Sequence, residues 1–585
     1  FSDPALAERL NRRFVAVKVD REEHPDVDAT YLAAAAGFTR QLGWPLTVFL
    51  TPEGQAFYAG TYFPPTPSRG LPALSQVLDA VWHAWKGDRK QVSETAARLA
   101  ANLGQLAGRA APSGDALRRA DVGALVDAAA EQALGREDEE HGGFGAAPKF
   151  PLAPALDFLI EAGSTPDAVG PGDSAAGVSG RAAALRALRA MAGSDLRDPV
   201  EGGFFRYATM ADWSVPHYER MLYDNAQLLS LYTHAVAGAR NGDAVDDFDS
   251  AASGIAGFLI DVLGREGGGF GSAQDSESIV HGERSEGGYY ALDAAGRSRE
   301  TPPPVDGKVL AGWNGLAIAA LADAGVTFAR PEWVGAARAA ADRILATHRT
   351  EEGRLARASL DGVVSRAPAT LEDYGLFSVG LLRLALAGGG ARYAEAARRL
   401  VDTVLSGPGH EDTAKRPFTP PEAADPLLAA QGVEVLETEG GSTLPGGEVA
   451  CAWAAHLLGQ MTAEERYDLV AGRVVSARLE SAAAEPLAAG DVLALAARRL
   501  SRRQIVVVLP DHDVPGGLSA AIVAAALRLT GVHAVVSESE SRALAAAGFT
   551  LFESRDCREG VPTVYVCHDF VCELPITDPS LLGVS

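Results

Sequence analysis

At 585 residues the chain is long enough for about three to four domains at the usual ~100–200 residues each, so a sizeable core is available. Its 52 basic and 76 acidic side chains give a net charge of −24, which leaves no basic stripe for a nucleic acid or an anionic membrane. The apolar share of 47% argues against disorder, and no apolar run approaches the ~18–20 residues of a membrane span.

Residues 3–13 predict a helix, FVAVKVD (14–20) a strand by its alternating apolar residues, and 28–38 a second helix. In GWPLTVFLTPEGQAFYAGTYFPP (43–65) a β-prone run follows Pro45, turns at Pro52–Gly54 and returns as a hairpin. Helix, strand, helix, proline and hairpin form the second half of a thioredoxin-like layout, for which a cis Trp44–Pro45 bond is expected. One more helix over 71–86 and a polar Ala/Gly/Arg-rich connection over 108–116 mark a first boundary. The domains expected are 1–110, 121–500 and 501–585.

Between 121 and 500 about twelve Ala- and Leu-rich amphipathic helices alternate with Gly/Pro loops, enough for six helical hairpins. They are expected near 121–135, 152–163, 179–193, 216–238, 245–264, 312–326, 334–348, 370–387, 391–406, 447–460, 464–482 and 487–500. Gly-Gly-Phe recurs at 142–144, 202–204 and 268–270, with a related Gly-Gly-Tyr at 287–289, a spacing that marks repeated units. Each aromatic either walls a pocket at the mouth of a barrel or plugs its core. Past 500, strands at 502–510, 533–539 and 562–567 alternate with helices at 516–530 and 540–547 as a small α/β appendage. It has no glycine-rich phosphate loop, so nucleotide binding is not supported.

The richest stretch is WSVPHYERMLYDNAQLL, 213–229. Pro216 suits a first helical position, so the helix should begin near His217 and carry His217 and Asp224 on one face about two turns apart. A histidine in a first turn stays neutral beside the positive helix end and suits a general base. The alternative is a satisfied pair in a packed core. Glu219 should join His217 in facing the cavity, with Asp224 deeper as internal support. In SAQDSES, Asp275 is an acid/base candidate or a solvated bystander; in AGWNGL, Trp313 can stack on a sugar ring and Asn314 can read hydroxyls or cap the helix. In TLEDYGL, Asp373 follows Thr370 at capping-box spacing and Tyr374 adjoins it. The catalytic candidates are therefore His217, Glu219, Asp275 and Asp373. The binding candidates are Lys149, Phe150, Arg206, Asp224, Trp313, Asn314 and Tyr374. A second barrel histidine is not evident, since His141 and His281 fall in loops.

All four cysteines, Cys451, Cys557, Cys567 and Cys572, lie in the last quarter, which excludes a disulfide framework. YVCHDFVC (565–572), with Cys557 upstream, offers Cys and His at short spacing, but its C-x4-C gap is not diagnostic of zinc and buried thiols are common. No metal and no cofactor are assigned.

The chain resembles the bacterial and animal proteins related to spermatogenesis-associated protein 20, which join a thioredoxin-like domain to a helical barrel. VKVDREEHPDVDATY, GWPLTVFLTPEGQAFYAGTYFPP, GGFGAAPKFP, VPHYERMLYDNAQLL, GKVLAGWNGLAIAALA and YVCHDFVCELP carry the match across nearly the whole length. The resemblance implies an (α/α)6 barrel of the kind shared by N-acylglucosamine 2-epimerases and several glycoside hydrolases. It also implies a Cys-His-Trp-Cys segment upstream of FSDPALAERL, which this sequence does not contain. The expected fold class is thus multidomain: a partial thioredoxin-like domain, an (α/α)6 barrel and a C-terminal α/β segment. The expected partner is a sugar-like small molecule, bound and either isomerised or hydrolysed, in a cytoplasmic protein with no nucleic-acid or membrane partner. The alternatives are a thiol redox protein acting through the absent segment and a non-catalytic interaction protein with a plugged cavity.

Overall fold

The computed structural model describes residues 3–39, 42–68, 70–107, 117–163, 175–240, 243, 245–350, 352–405, 417–422, 428, 443–512 and 517–582. The chain divides into two compact units, one of residues 1–111 with 422–439 and one of 112–421 with 440–585.

In the first unit α1 (Pro4–Arg13) starts where Asp3 accepts from the amides of Ala5 and Leu6, and it ends on Arg12 and Arg13, which suit the negative helix end. Next come α2 (Pro25–Ala35) and an antiparallel hairpin of Thr47–Leu50 with Ala56–Gly60. Phe49 packs with Val77, Leu78 and Val81 of α3 (Leu74–Gly87). Trp44–Pro45 is cis, as expected. One expectation fails here. Residues 14–20 form no strand and pair with none among the described residues, and Val15 and Val17 are 93% and 77% exposed. Alternation predicts a strand, yet a strand exists only where a neighbour supplies the ladder. Residues 89–107, for which no helix is predicted, form α4 (Arg89–Ala107), whose Ala96 and Ala100 are buried.

The second unit holds α5 (Arg119–Leu134), α6 (Ala153–Ala162), α7 (Ala175–Ala192), α8 (Leu222–Ala237), α9 (Phe248–Gly257) and the single turn α10 (Ala294–Arg297). It continues with α11 (Ala311–Thr327), α12 (Pro331–Thr347), α13 (Leu371–Leu384), α14 (Ala391–Leu405), α15 (Gly447–Thr462), α16 (Glu465–Ala484) and α17 (Gly490–Leu500). Helices α6, α8, α11, α13, α15 and α17 pack in that order and close back on α6. The alternate helices α5, α7, α9, α12, α14 and α16 each pack outside this ring against their chain neighbours. The result is the expected (α/α)6 toroid. The inner helices are apolar all round because they are covered all round: α11 buries fourteen of its residues. Gly315 lets α11 and α13 approach so closely that a Cβ there would lie 2.3 Å from the Leu376 carbonyl oxygen.

The appendage is a four-stranded sheet in the order Val532–Ser537, Arg503–Leu509, Thr563–His568, Val571–Cys572, the first pair parallel and the others antiparallel. Helices α18 (Leu518–Leu527) and α19 (Glu538–Ala546) accompany it. Among the described residues, no helix is long and apolar enough to cross a membrane.

Candidate functional site

Four short hairpin links precede four inner helices at the end where those helices start. They pair Glu137 with Phe144, Arg197 with Phe204, Gly264 with Phe270 and Arg349 with Leu355. Three are the Gly-Gly-Phe copies, and Phe144, Phe204 and Phe270 are buried, so the aromatics plug the core. The fourth equivalent is Arg349–Leu355; Gly-Gly-Tyr 287–289 lies in the long connection between α9 and α11 instead. One device locks two of the copies. Asn225, fourth residue of α8, accepts from Phe204 N at 2.7 Å and donates to the Phe204 and Met221 carbonyls at 3.0 and 2.9 Å. Asn314, fourth residue of α11, does the same with Phe270 N at 2.8 Å and the Phe270 and Leu310 carbonyls at 3.0 Å. Asn314, expected to read ligand hydroxyls, is thus committed to backbone. Asn225 was not singled out in the sequence, although it stands at the same helical position.

The start of α8 differs from the expectation. Trp213 and Val215 have φ of +66° and +51°, Pro216–His217 pairs with Tyr207–Ala208, and Arg220–Met221 pairs with Ala273–Gln274. The helix therefore begins at Leu222, because strand pairing takes up the backbone groups of Pro216 to Met221 that a helix would need. His217 is a half-buried rim residue in a row of rings, 5.0 Å from Tyr207, which stacks on Phe150 at 4.7 Å. Glu219 accepts from Arg206 at 2.8 Å, both side chains being roughly three-tenths exposed. Lys149, a binding candidate, is wholly buried: its ammonium donates to Asp138 at 2.6 Å and the Ala211 carbonyl at 3.0 Å and lies over Trp213. That is an internal brace.

Asp224 is the third residue of α8. It is 7% exposed, and its carboxyl has no hydrogen-bond partner among the described residues. Burial pushes its pKa up to about 8; Arg206 opposes the rise and Glu219 adds to it. Burial also works against the Arg206 cation, but Tyr223, Glu219 and Asp224 outweigh it and raise its pKa. The Tyr223 ring meets Trp313 edge-on at 4.7 Å. Trp313, 4% exposed, brings its indole N–H near Glu372 without reaching hydrogen-bond geometry. Burial raises the Glu372 pKa, Arg357 opposing.

Asp373, expected as a catalyst, is saturated. It accepts from Gly312 N, Thr370 N, Thr370 Oγ1 and Arg357 Nη1 at 3.0, 2.9, 3.1 and 2.7 Å. It caps α13 and neutralises a buried arginine. Tyr374 is buried beside it. Asp275 is exposed and accepts from Glu277 N at 3.1 Å in an open surface groove with Arg284 and Pro302. Of the expected residues, then, Arg206, Glu219, Asp224 and Trp313 belong to one neighbourhood, with Tyr223 and Glu372 added by the fold. His217 and Phe150 border it along the rim.

A narrow central cavity of about 50 Å³ lies inside the ring, lined by Asp157, Gln227, His234, Trp453, Asp491 and Arg498 among others. Neither His217 nor Glu219 lines it. At its deeper wall the His234 imidazole lies 3.9 Å from each of Asp157, Glu161 and Asp323. Arg498 lies 2.7 Å from Asp157 and Arg383 2.7 Å from Asp323. Asp157, Glu161 and His234 bring ligand-capable atoms within 4.8 Å of one another, but Arg498 already engages both carboxylates. The set is a charge-balanced network and makes no case for a metal.

Fold and site together define a six-hairpin helical toroid with a buried, unpartnered carboxyl near the starts of its inner helices. Residues 1–104 match the family model Thioredox_DsbH, described as a protein of unknown function, DUF255. The chain is similar to spermatogenesis-associated protein 20 of Homo sapiens, 35% identical over 309 residues, which are 52% of this chain and 38% of that protein. It therefore spans well under half the length of that relative. Among solved structures, a D-mannose isomerase is similar over 61% of this chain and 85% of its own at 12% identity and a TM-score of 0.41. A cellobiose 2-epimerase from Bacillus thermoamylovorans is similar over 58% and 81% at 9% identity and a TM-score of 0.38.

Proposed function

We infer that the toroid binds a polyhydroxylated, sugar-like small molecule near the starts of α8, α11 and α13, with Asp224 as its proton-transferring group. The unpartnered Asp224 carboxyl carries this reading, because a buried polar group normally finds a partner and a ligand hydroxyl would supply one. With its pKa near 8 the carboxyl holds a proton at neutral pH and can donate it to a ligand oxygen; the Arg206 guanidinium then stabilises the carboxylate left behind. Tyr223 and Trp313, packed edge-on beside Asp224, supply an apolar wall to the same site. Acid-assisted hydrolysis and isomerisation both begin with such a group, and Glu372 is the second carboxyl either would use.

The test is a thermal-shift screen of aldoses, ketoses, amino sugars and short oligosaccharides, repeated on Asp224→Asn and His217→Ala. At least one compound is expected to raise the melting temperature of the native protein, and Asp224→Asn should remove or reverse that rise. If no compound stabilises the native protein, or if Asp224→Asn leaves the rise unchanged, the reading fails.

A further inference from the structure

The appendage carries chemistry that owes nothing to the toroid. Cys567, near the end of strand Thr563–His568, is the register partner of Cys572 on Val571–Cys572, and their sulfurs are joined as a disulfide. The C-x4-C spacing alone does not reveal a tight turn; Asp569 and Phe570, at φ of +46° and +68°, make that turn and set the cysteines face to face.

The two sulfurs differ in access. Cys567 is 0% exposed, whereas Cys572 is half-buried between Val571 at 76% and Leu574 at 86% exposure. As a staple the bond has little to do. It spans five positions of a hairpin that strand pairing already closes, and a short loop gains least from cross-linking. The hairpin also touches the toroid: Phe570 N donates to Gln504 Oε1 at 3.4 Å, and Gln504 Nε2 donates to Gln460 Oε1 of α15 at 2.7 Å. We propose that Cys567–Cys572 is a thiol-exchange site that accepts two electrons from an external dithiol attacking Cys572.

A thiolate of the dithiol attacks Cys572 Sγ, the disulfide breaks, and the electron pair leaves on Cys567 Sγ, which takes a proton from water. The second thiolate then attacks the dithiol's own sulfur in this mixed disulfide and releases Cys572, which is also protonated. Net, the protein disulfide becomes two thiols and the dithiol becomes a disulfide. No other cysteine of the chain competes. Cys451 is buried with its thiol directed to the Leu371 carbonyl. Cys557 sits at the far end of the neighbouring strand, against the Val508 carbonyl, and burial pushes its thiol up to about 11.

The full chain, without denaturant, is incubated with dithiothreitol or with glutathione buffers of graded poise, acid-quenched, alkylated and mapped by mass. Two alkyl groups are expected on Cys567 and Cys572 in the dithiothreitol samples, and none on Cys451. In single variants, Cys572 in Cys567→Ser should react with an aromatic disulfide reagent at least about tenfold faster than Cys567 in Cys572→Ser. Reduction only after unfolding, equal reactivity of the two variants, or two free thiols at every poise would each overturn the proposal. None of these outcomes depends on a sugar-like ligand.

Discussion

Asp224 and Asp373 are each the third residue of an inner helix, and they end in opposite states. Asp373 meets the Arg357 guanidinium and three further donors, so it is a fixed anion within the wall. Among the described residues Asp224 meets no donor, and burial holds its proton on. Both aspartates were legible as residues at helix starts. Which was free was not, because Arg357 reaches Asp373 from another part of the chain. For Asp224 the folded pKa, about 8, stands above the unfolded value of about 3.9, so the folded state binds the extra proton between these limits and stability falls as pH rises from about 4 to about 8. Asp224→Asn should therefore leave the melting temperature near pH 4 almost unchanged and make the protein more stable than the native form above pH 8, by an amount on the order of a few kcal/mol. Parallel melting curves of the two proteins from pH 4 to 9 check this, and curves that stay superimposed would remove the raised pKa from the account. The Arg206–Glu219 pair, partly open to solvent, should contribute less than ~1 kcal/mol to stability, so Glu219→Gln is expected to act on ligand binding and not on folding.

At the scale of elements, periodicity located the twelve toroid helices to within a few residues, since each inner helix is a long apolar run and each outer one is amphipathic. The one large misplacement was the start of α8, where a proline that suits a helix N-terminus sits instead in a two-residue strand. Local preference for Pro216 is weak beside a ladder with Tyr207–Ala208, and that partner lies outside any local window. The asparagine clamps show the same limit: Asn314 was noticed as an amide on a buried helix, but its target, the Gly-Gly-Phe turn, is forty-four residues earlier in the chain. Asn225→Ala and Asn314→Ala each remove three hydrogen bonds and leave a buried Phe amide unpaired, so each should cost about 2–4 kcal/mol, visible as a lower midpoint in denaturant. Gly202→Ala should be worse tolerated than either, because its φ is +73° and a Cβ would lie 2.2 Å from the Gly254 carbonyl oxygen. Midpoints within experimental error of the native protein would show that the clamps do not hold the hairpins.

For the whole molecule, the deep wall of the toroid is a closed charge network drawn from five inner helices: His234 on α8, Asp157 and Glu161 on α6, Asp323 on α11, Arg383 on α13 and Arg498 on α17. Burial disfavours the His234 cation, but the three carboxylates outweigh it and raise its pKa to about 9. That stabilisation is fully present below the unfolded value of about 6.5 and is lost as pH rises through about 9. In an Asp224→Asn background, where the overlapping carboxyl is silent, His234→Leu should flatten the fall in melting temperature between pH 6.5 and 9. An unchanged slope would show that His234 is not the titrating group. The sequence alone determined the acidic, globular character, the number and order of the toroid helices and the appended α/β segment, because helix and strand formation follow local apolar periodicity. Only the tertiary structure decided that Asp373, Asn314 and Lys149 are braces, that Asp224 is left without a partner, and that Cys567 meets Cys572. Those outcomes depend on which donors and acceptors ring closure and strand pairing bring within ~3 Å, and that is a property of the assembled chain.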